Sequence, residues 1–219
     1  MLRTVFCICC GLFLWACRPE TRPEIYIRIV GAEKDVPTVL TIGARKYPLV
    51  LDSMGVAVLP LPSLSGFSEG KLKYGVYRLP LLLEADQGFE VYMSVLPGDL
   101  GAEFSGAGAL KNEIWNGKYF CHFADSAYML NEEDFLTLIA ENRRADRRMV
   151  DSLGENALFT ALLEKKLELL ALKRLVRYPE QHAKLTGQRN FMPSEFYCKY
   201  VKERSDSLRK LQNSRKAKK

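Results

Sequence analysis

The apolar residues of this chain change their period once, near Gly106, and that change constrains the fold more than any other feature. Ile25, Ile27 and Ile29 alternate with Tyr26, Arg28 and Val30, the period of two that lays one face of a strand against a core. Further strand-like runs follow at Thr38–Ile42, Tyr47–Leu51, Gly55–Leu61, Leu72–Leu83, Glu90–Leu96 and Ala102–Ser105. Gly43-Ala44-Arg45, Asp52-Ser53-Met54-Gly55, Asp86-Gln87-Gly88 and Pro97-Gly98-Asp99 separate them with turn residues. Short strands joined in this way predict an antiparallel β-sandwich or barrel-like domain.

Beyond Gly106 the spacing turns helical. Asn131 followed by Glu132, Glu133 and Asp134 places a capping side chain and three carboxylates where helix N–H groups need acceptors, and Phe135, Leu138 and Ile139 then repeat at helical spacing. A second helix is expected from about Glu155 to Tyr178, with cations in its last turn and Pro179 as its stop. A third is expected from Pro193-Ser194-Glu195, carrying Phe196, Tyr200, Val201 and Leu208. The class expected is α+β: the β domain first, then a small helical hairpin or bundle.

The first residues carry an address. One charge at Arg3 precedes an apolar run from Val5 to Ala16. Twelve residues fall short of the roughly 20 needed to cross a bilayer as a helix, and the pattern is that of a secretory signal peptide. Leu14-Trp15-Ala16-Cys17 resembles the bacterial lipobox, in which the cysteine is acylated, palmitate being one such chain, and becomes the new N-terminus. Trp15 departs from the small residue usual there. An uncleaved anchor and ordinary signal cleavage are the competing readings, and Leu14 is too large for the second. Cys17 is therefore expected to attach lipid, with two or more acyl chains giving stable retention. The expected location is the cell envelope, lipid-anchored at the outer membrane, on either its periplasmic or its surface side. The Cys7-Ile8-Cys9-Cys10 segment contains a C-x-x-C spacing but lies within the segment to be removed.

The expected organisation is a signal peptide over 1–16, a tether over 17–24, a β-sandwich-like domain over 25–106, a helical region over 107–205 and a basic tail over 206–219. The formal charge is +6, and from Lys199 to Lys219 nine lysines and arginines face only Glu203 and Asp206, which leaves the rest near neutral. A basic tail suits anionic lipid or a solvated terminus. No nucleic acid is expected as a partner of an exported chain whose tail has no aromatics after Tyr200.

Candidate chemistry is sparse. An oxidising envelope permits a disulfide between Cys121 and Cys198, but two buried, unpaired thiols are the expected state. Cys121-His122 is a thiol–imidazole neighbour pair, but adjacent side chains point apart, and no metal-ligand spacing joins Cys121, His122, His182 and Cys198. His182 follows Pro179 in an expected loop. Gly106-Ala107-Gly108 lacks the Gly-Lys-Ser/Thr of a phosphate loop and is read as a turn. Arg143, Arg144, Arg147 and Arg148 stand at i, i+4 spacing, a pattern able to clamp an anion such as a carboxylate or phosphate, although such a cluster is more usually a solvated helix face with weak internal pairs. No catalytic residue, cofactor or metal is assigned.

The stretches KYPLVLDSMGVAVLPLP, VYMSVLPGDLGAEFSGAGALKNEIWN and EKKLELLALKRLVRYPEQH resemble the N-terminal β-domain and linker helices of TlpA-like thiol–disulfide oxidoreductase lipoproteins. The likeness covers most of residues 25–205, through the Pro97-Gly98-Asp99 turn, the strand ending at Phe104-Ser105-Gly106, and Asn112. In that family a thioredoxin-fold domain with its C-x-x-C follows, whereas residues 18–219 contain no such motif. The resemblance therefore implies an envelope location and the non-catalytic half. The expected function is a binding or scaffolding module; the alternative is the accessory half of an oxidoreductase that needs a separate thioredoxin-fold partner.

Overall fold

The computed structural model describes residues 23–216, with side chains as far as Lys210. Eight strands come first: β1 (Glu24–Val30), β2 (Thr38–Ile42), β3 (Arg45–Leu49), β4 (Val56–Pro60), β5 (Phe67–Tyr74), β6 (Tyr77–Glu84), β7 (Phe89–Leu96) and β8 (Asp99–Ser105). They form two four-stranded sheets, β4-β1-β7-β8 and β3-β2-β5-β6. Ile25, Ile27, Ile29, Val91 and Met93 of the first sheet meet Leu40, Leu72, Leu81 and Leu83 of the second in one buried core. The arrangement is α+β and sandwich-like. It is not wholly antiparallel, because β1 pairs in parallel with β7 along Ile25↔Phe89 to Val30↔Ser94.

The expected run Leu72–Leu83 is two strands. Tyr74 pairs with Tyr77 across Gly75 and Val76, and Gly75 takes a positive φ of +54° that favours glycine. At the Asp52 turn the carboxylate accepts from the backbone N–H of Met54 (2.8 Å) and Val56 (2.9 Å). Gly55 there has φ +76°, and any Cβ on it would collide with the Ile29 carbonyl. Proline cannot donate to a ladder, and Pro48, Pro60 and Pro80 lie on the edge strands β3, β4 and β6.

A short helix, α1 (Ala109–Trp115), follows β8 and belongs to the same compact unit, which runs to Asn116; a second unit spans Gly117–Lys219. The division thus falls ten residues beyond the change of period at Gly106, because α1 closes an edge of the sandwich. Asn112 is fully buried on it. Its Oδ1 accepts from the Leu82 N–H and its Nδ2 donates to the Leu82 carbonyl, both at 2.9 Å. Asn116 donates to the Pro80 carbonyl at 3.0 Å. The side-chain amides occupy backbone groups that edge strand β6 would otherwise offer to another strand.

The second unit contains a 3₁₀ turn (Asp125–Met129) and the helices α2 (Glu132–Ser152), α3 (Ala157–Thr186) and α4 (Glu195–Lys216). At 21, 30 and 22 residues, they make a larger helical part than the small hairpin expected. The Asn131 side chain caps α2 by accepting from Asp134 N–H at 3.0 Å. Glu132 accepts from both the backbone and hydroxyl of Ser194, which ties the start of α2 to the start of α4.

Pro179 does not end α3. A proline inside a helix deprives the carbonyl four residues earlier of its donor. Here that carbonyl belongs to Leu175, and the Tyr197 hydroxyl donates to it at 2.7 Å. The helix continues through His182 to Thr186, and Gly187 ends it with φ +75°. In α3 the buried series is Phe159, Leu163, Leu167, Ala171, Leu175, Tyr178 and His182, whereas Leu158 and Val176 are exposed. On α4 Tyr197 is buried and Phe196 faces outward. Residues 206–216 of the expected tail are helical. No helix among the described residues is long and apolar enough to cross a membrane.

Candidate functional site

The helical unit gathers most of the side chains with chemical potential. Its core is aromatic: Phe135 stacks on Tyr178 with ring centres 4.2 Å apart, and Tyr178 lies beside Tyr197 at 5.2 Å and His182 at 5.1 Å. Burial dominates the acidity of these phenols, since a phenolate loses its hydration there. It pushes Tyr178 up to about 12 and raises Tyr197 further. Both hydroxyls donate to main-chain carbonyls, Tyr178 to Leu130 at 2.8 Å and Tyr197 to Leu175.

His182, expected in a loop, is buried on α3. Its Nδ1 donates to the Tyr128 carbonyl at 2.9 Å, which fixes the proton on that nitrogen. Its ring lies against Phe191 at 4.3 Å.

Cys121 and Cys198 are both free thiols. The expectation of burial fails for each: Cys121 is half-buried and Cys198 exposed. The Cys121 N–H donates at 2.6 Å to Asp146, a carboxylate buried on α2. Burial pushes the Cys121 thiol up, and the hydrogen bond and negative charge of Asp146 push it the same way, against Arg174 and Arg148. Nucleophilic cysteines need the opposite shift, because the thiolate is the reactive form. Arg174 itself lies over the Phe123 ring at 4.4 Å, and its burial lowers the guanidinium from its usual value.

The four arginines of α2 do not act alike. Arg143 pairs with Glu168 on α3, which also accepts from Arg204 on α4 at 3.2 Å, so one carboxylate ties three helices. Arg147 pairs with Glu164 at 2.9 Å. Arg144 Nε donates back to the Ala140 carbonyl at 3.4 Å, and Arg148 is exposed. An anion arriving at this face would compete with Glu164 and Glu168 for two of the four. Sequence spacing revealed the arginines but not these carboxylates, which belong to another helix.

Among the described residues no three His, Cys, Asp or Glu side chains stand close enough to hold a metal ion. The Gly106–Gly108 segment is a turn: Gly106 has φ +88°, Gly108 packs on Phe89, and Lys111 reaches Glu84 at 2.5 Å. Cys17, the expected lipid attachment, lies outside the described residues, as does the expected signal peptide. Comparison with protein-family models, with curated proteins and with solved structures finds no match for this chain.

Proposed function

We propose that this chain is an envelope lipoprotein, held at the outer membrane through acylated Cys17, whose two units serve as a non-catalytic binding or scaffolding module. The anchor reading rests on Leu14-Trp15-Ala16-Cys17. The observation that supports binding over catalysis is the use made of the reactive side chains. The Cys121 thiol is raised beside Asp146, His182 donates to the Tyr128 carbonyl, and Arg143 and Arg147 are engaged by glutamates. His182 and the two arginines are committed to holding the helical unit together, and the raised thiol is less available as the reactive thiolate.

Membrane fractionation of wild type and Cys17→Ser tests the anchor: the variant is expected in the soluble fraction, and its retention after washing would overturn the assignment. Cross-linking in native envelopes followed by co-purification tests the module, with transporters or other lipoproteins as the expected partners. Recovery of a thioredoxin-fold protein bearing C-x-x-C would instead favour the accessory half of a thiol–disulfide oxidoreductase, the role implied by the resemblance around Pro97-Gly98-Asp99.

A further inference from the structure

The outward face of the β3-β2-β5-β6 sheet is polarised in a way the fold does not require. Side chains alternate across each strand, so Leu40, Ile42, Leu72, Tyr74, Leu81 and Leu83 point to the core. Lys46, Lys71, Lys73 and Arg78 fall on the other face, and all four are exposed. The register sets Lys46 and Lys71 on either side of Thr41, and Lys73 directly opposite Arg78. Like charges opposite one another oppose folding, so the Lys73–Arg78 juxtaposition calls for another explanation.

The carboxylates of this face are few. Glu69 is exposed near one end, and Glu84 is already paired with Lys111. Among the described residues none of the four cations has a carboxylate within ion-pair distance. At the opposite end of the sheet, where Thr38 pairs with both Leu49 and Tyr74, two apolar residues emerge. Val50 is 89% exposed and Val76 is 85% exposed.

We propose that this sheet face docks on an anionic phospholipid leaflet, the four cations lying among the headgroups and Val50 and Val76 at the headgroup–acyl boundary. The choice of a leaflet over another anionic partner rests on the Cys17 anchor of the proposed function. Six residues lie between Cys17 and Glu24, where β1 begins. At about 3.5 Å per step, the seven steps from Cys17 to Glu24 hold the start of the sandwich within about 25 Å of the acylated cysteine. Tethering at that distance gives a weak electrostatic surface a high effective concentration of its partner.

The test uses the lipidated full chain added to preformed vesicles of phosphatidylcholine, or of phosphatidylcholine with about one-third phosphatidylglycerol. Flotation reports attachment, and amine modification of Lys46, Lys71 and Lys73, each relative to the exposed loop residue Lys34, reports docking. Flotation is expected with both vesicles. Modification of the three lysines should slow at least about fivefold on the anionic vesicles alone and recover at high salt. Combining Lys71→Gln, Lys73→Gln and Arg78→Gln should abolish the protection of Lys46, while Lys199→Gln with Lys202→Gln on α4 should preserve it.

Full flotation with equal modification on both vesicles would overturn the docking face and leave the anchor standing. Flotation confined to anionic vesicles and lost in the triple variant would overturn the anchor and support the face. Flotation with neither would overturn both. Protection in native envelopes but not on anionic vesicles would overturn the lipid assignment in favour of an acidic protein.

Discussion

The two units satisfy their buried backbone by different means. In the sandwich, ladders between strands take up the main-chain groups and leave an aliphatic core of Ile25, Ile27, Ile29, Leu40, Leu72 and their neighbours. The helical unit buries rings instead, and three of them carry polar atoms aimed at carbonyls: Tyr178 at Leu130, His182 at Tyr128 and Tyr197 at Leu175. Two of those carbonyls belong to the irregular segment before α2, and the third is freed by Pro179. A buried polar group left without a partner costs about 1–3 kcal/mol. Carbonyls left by an irregular segment and by a proline therefore find polar aromatics as partners, where most main-chain groups of the sheets find them in the ladders. The sandwich has comparable positions too: Asn112 against the Leu82 main chain on β6, and buried Tyr74, whose hydroxyl accepts from the Glu33 N–H at 2.6 Å.

Asn112→Ala should have the largest effect, because it strips partners from both the N–H and the carbonyl of Leu82. About 3 kcal/mol of stability should be lost, read as a lower denaturant midpoint in the fluorescence of Trp115, buried on the same helix. The helical circular dichroism transition should move much less; equal shifts in both would show that the units unfold together.

Tyr197→Phe should cost the helical unit about 1.5 kcal/mol by orphaning the Leu175 carbonyl. Restoring the missing helical N–H with Pro179→Ala should recover about 1 kcal/mol of that loss in the double variant. Strict additivity would detach the tyrosine from the proline.

Alkaline pH sharpens the same contrast. Tyr178, pushed up to about 12 by burial, stays protonated in the fold after unfolded tyrosine ionises near pH ~10. Its contribution is complete below about pH 10 and is lost as pH climbs through about 12, with Tyr197 shifted in the same direction. The helical transition should weaken over that window faster than the sandwich transition. Parallel loss in both units would remove the phenols from the account.

Arg147→Ala should change little, under about 0.5 kcal/mol, because its pair with Glu164 is exposed to solvent. A larger loss in thermal melts would make the α2–α3 pairs a structural element in their own right.

The order of the two blocks was legible in the chain because period two and helical spacing are local properties. The strands β1, β2 and β7, the Asp52 turn and the Asn131 cap could be read from neighbouring residues alone. The extension of α3 past Pro179 was not legible, because the group that makes it tolerable sits 18 positions later at Tyr197. The fate of the arginines escaped for the same reason, since Glu164 and Glu168 reach them from another helix.

By itself the sequence determined the α+β class, the two-block layout and the caps and turns, all consequences of side-chain period and of backbone preference at single residues. Only the tertiary structure decided that β1 lies parallel to β7, that α1 closes the sandwich edge through Asn112, and that four cations share one outward sheet face. These depend on strand order and register, which are set by how distant segments bury their apolar faces together.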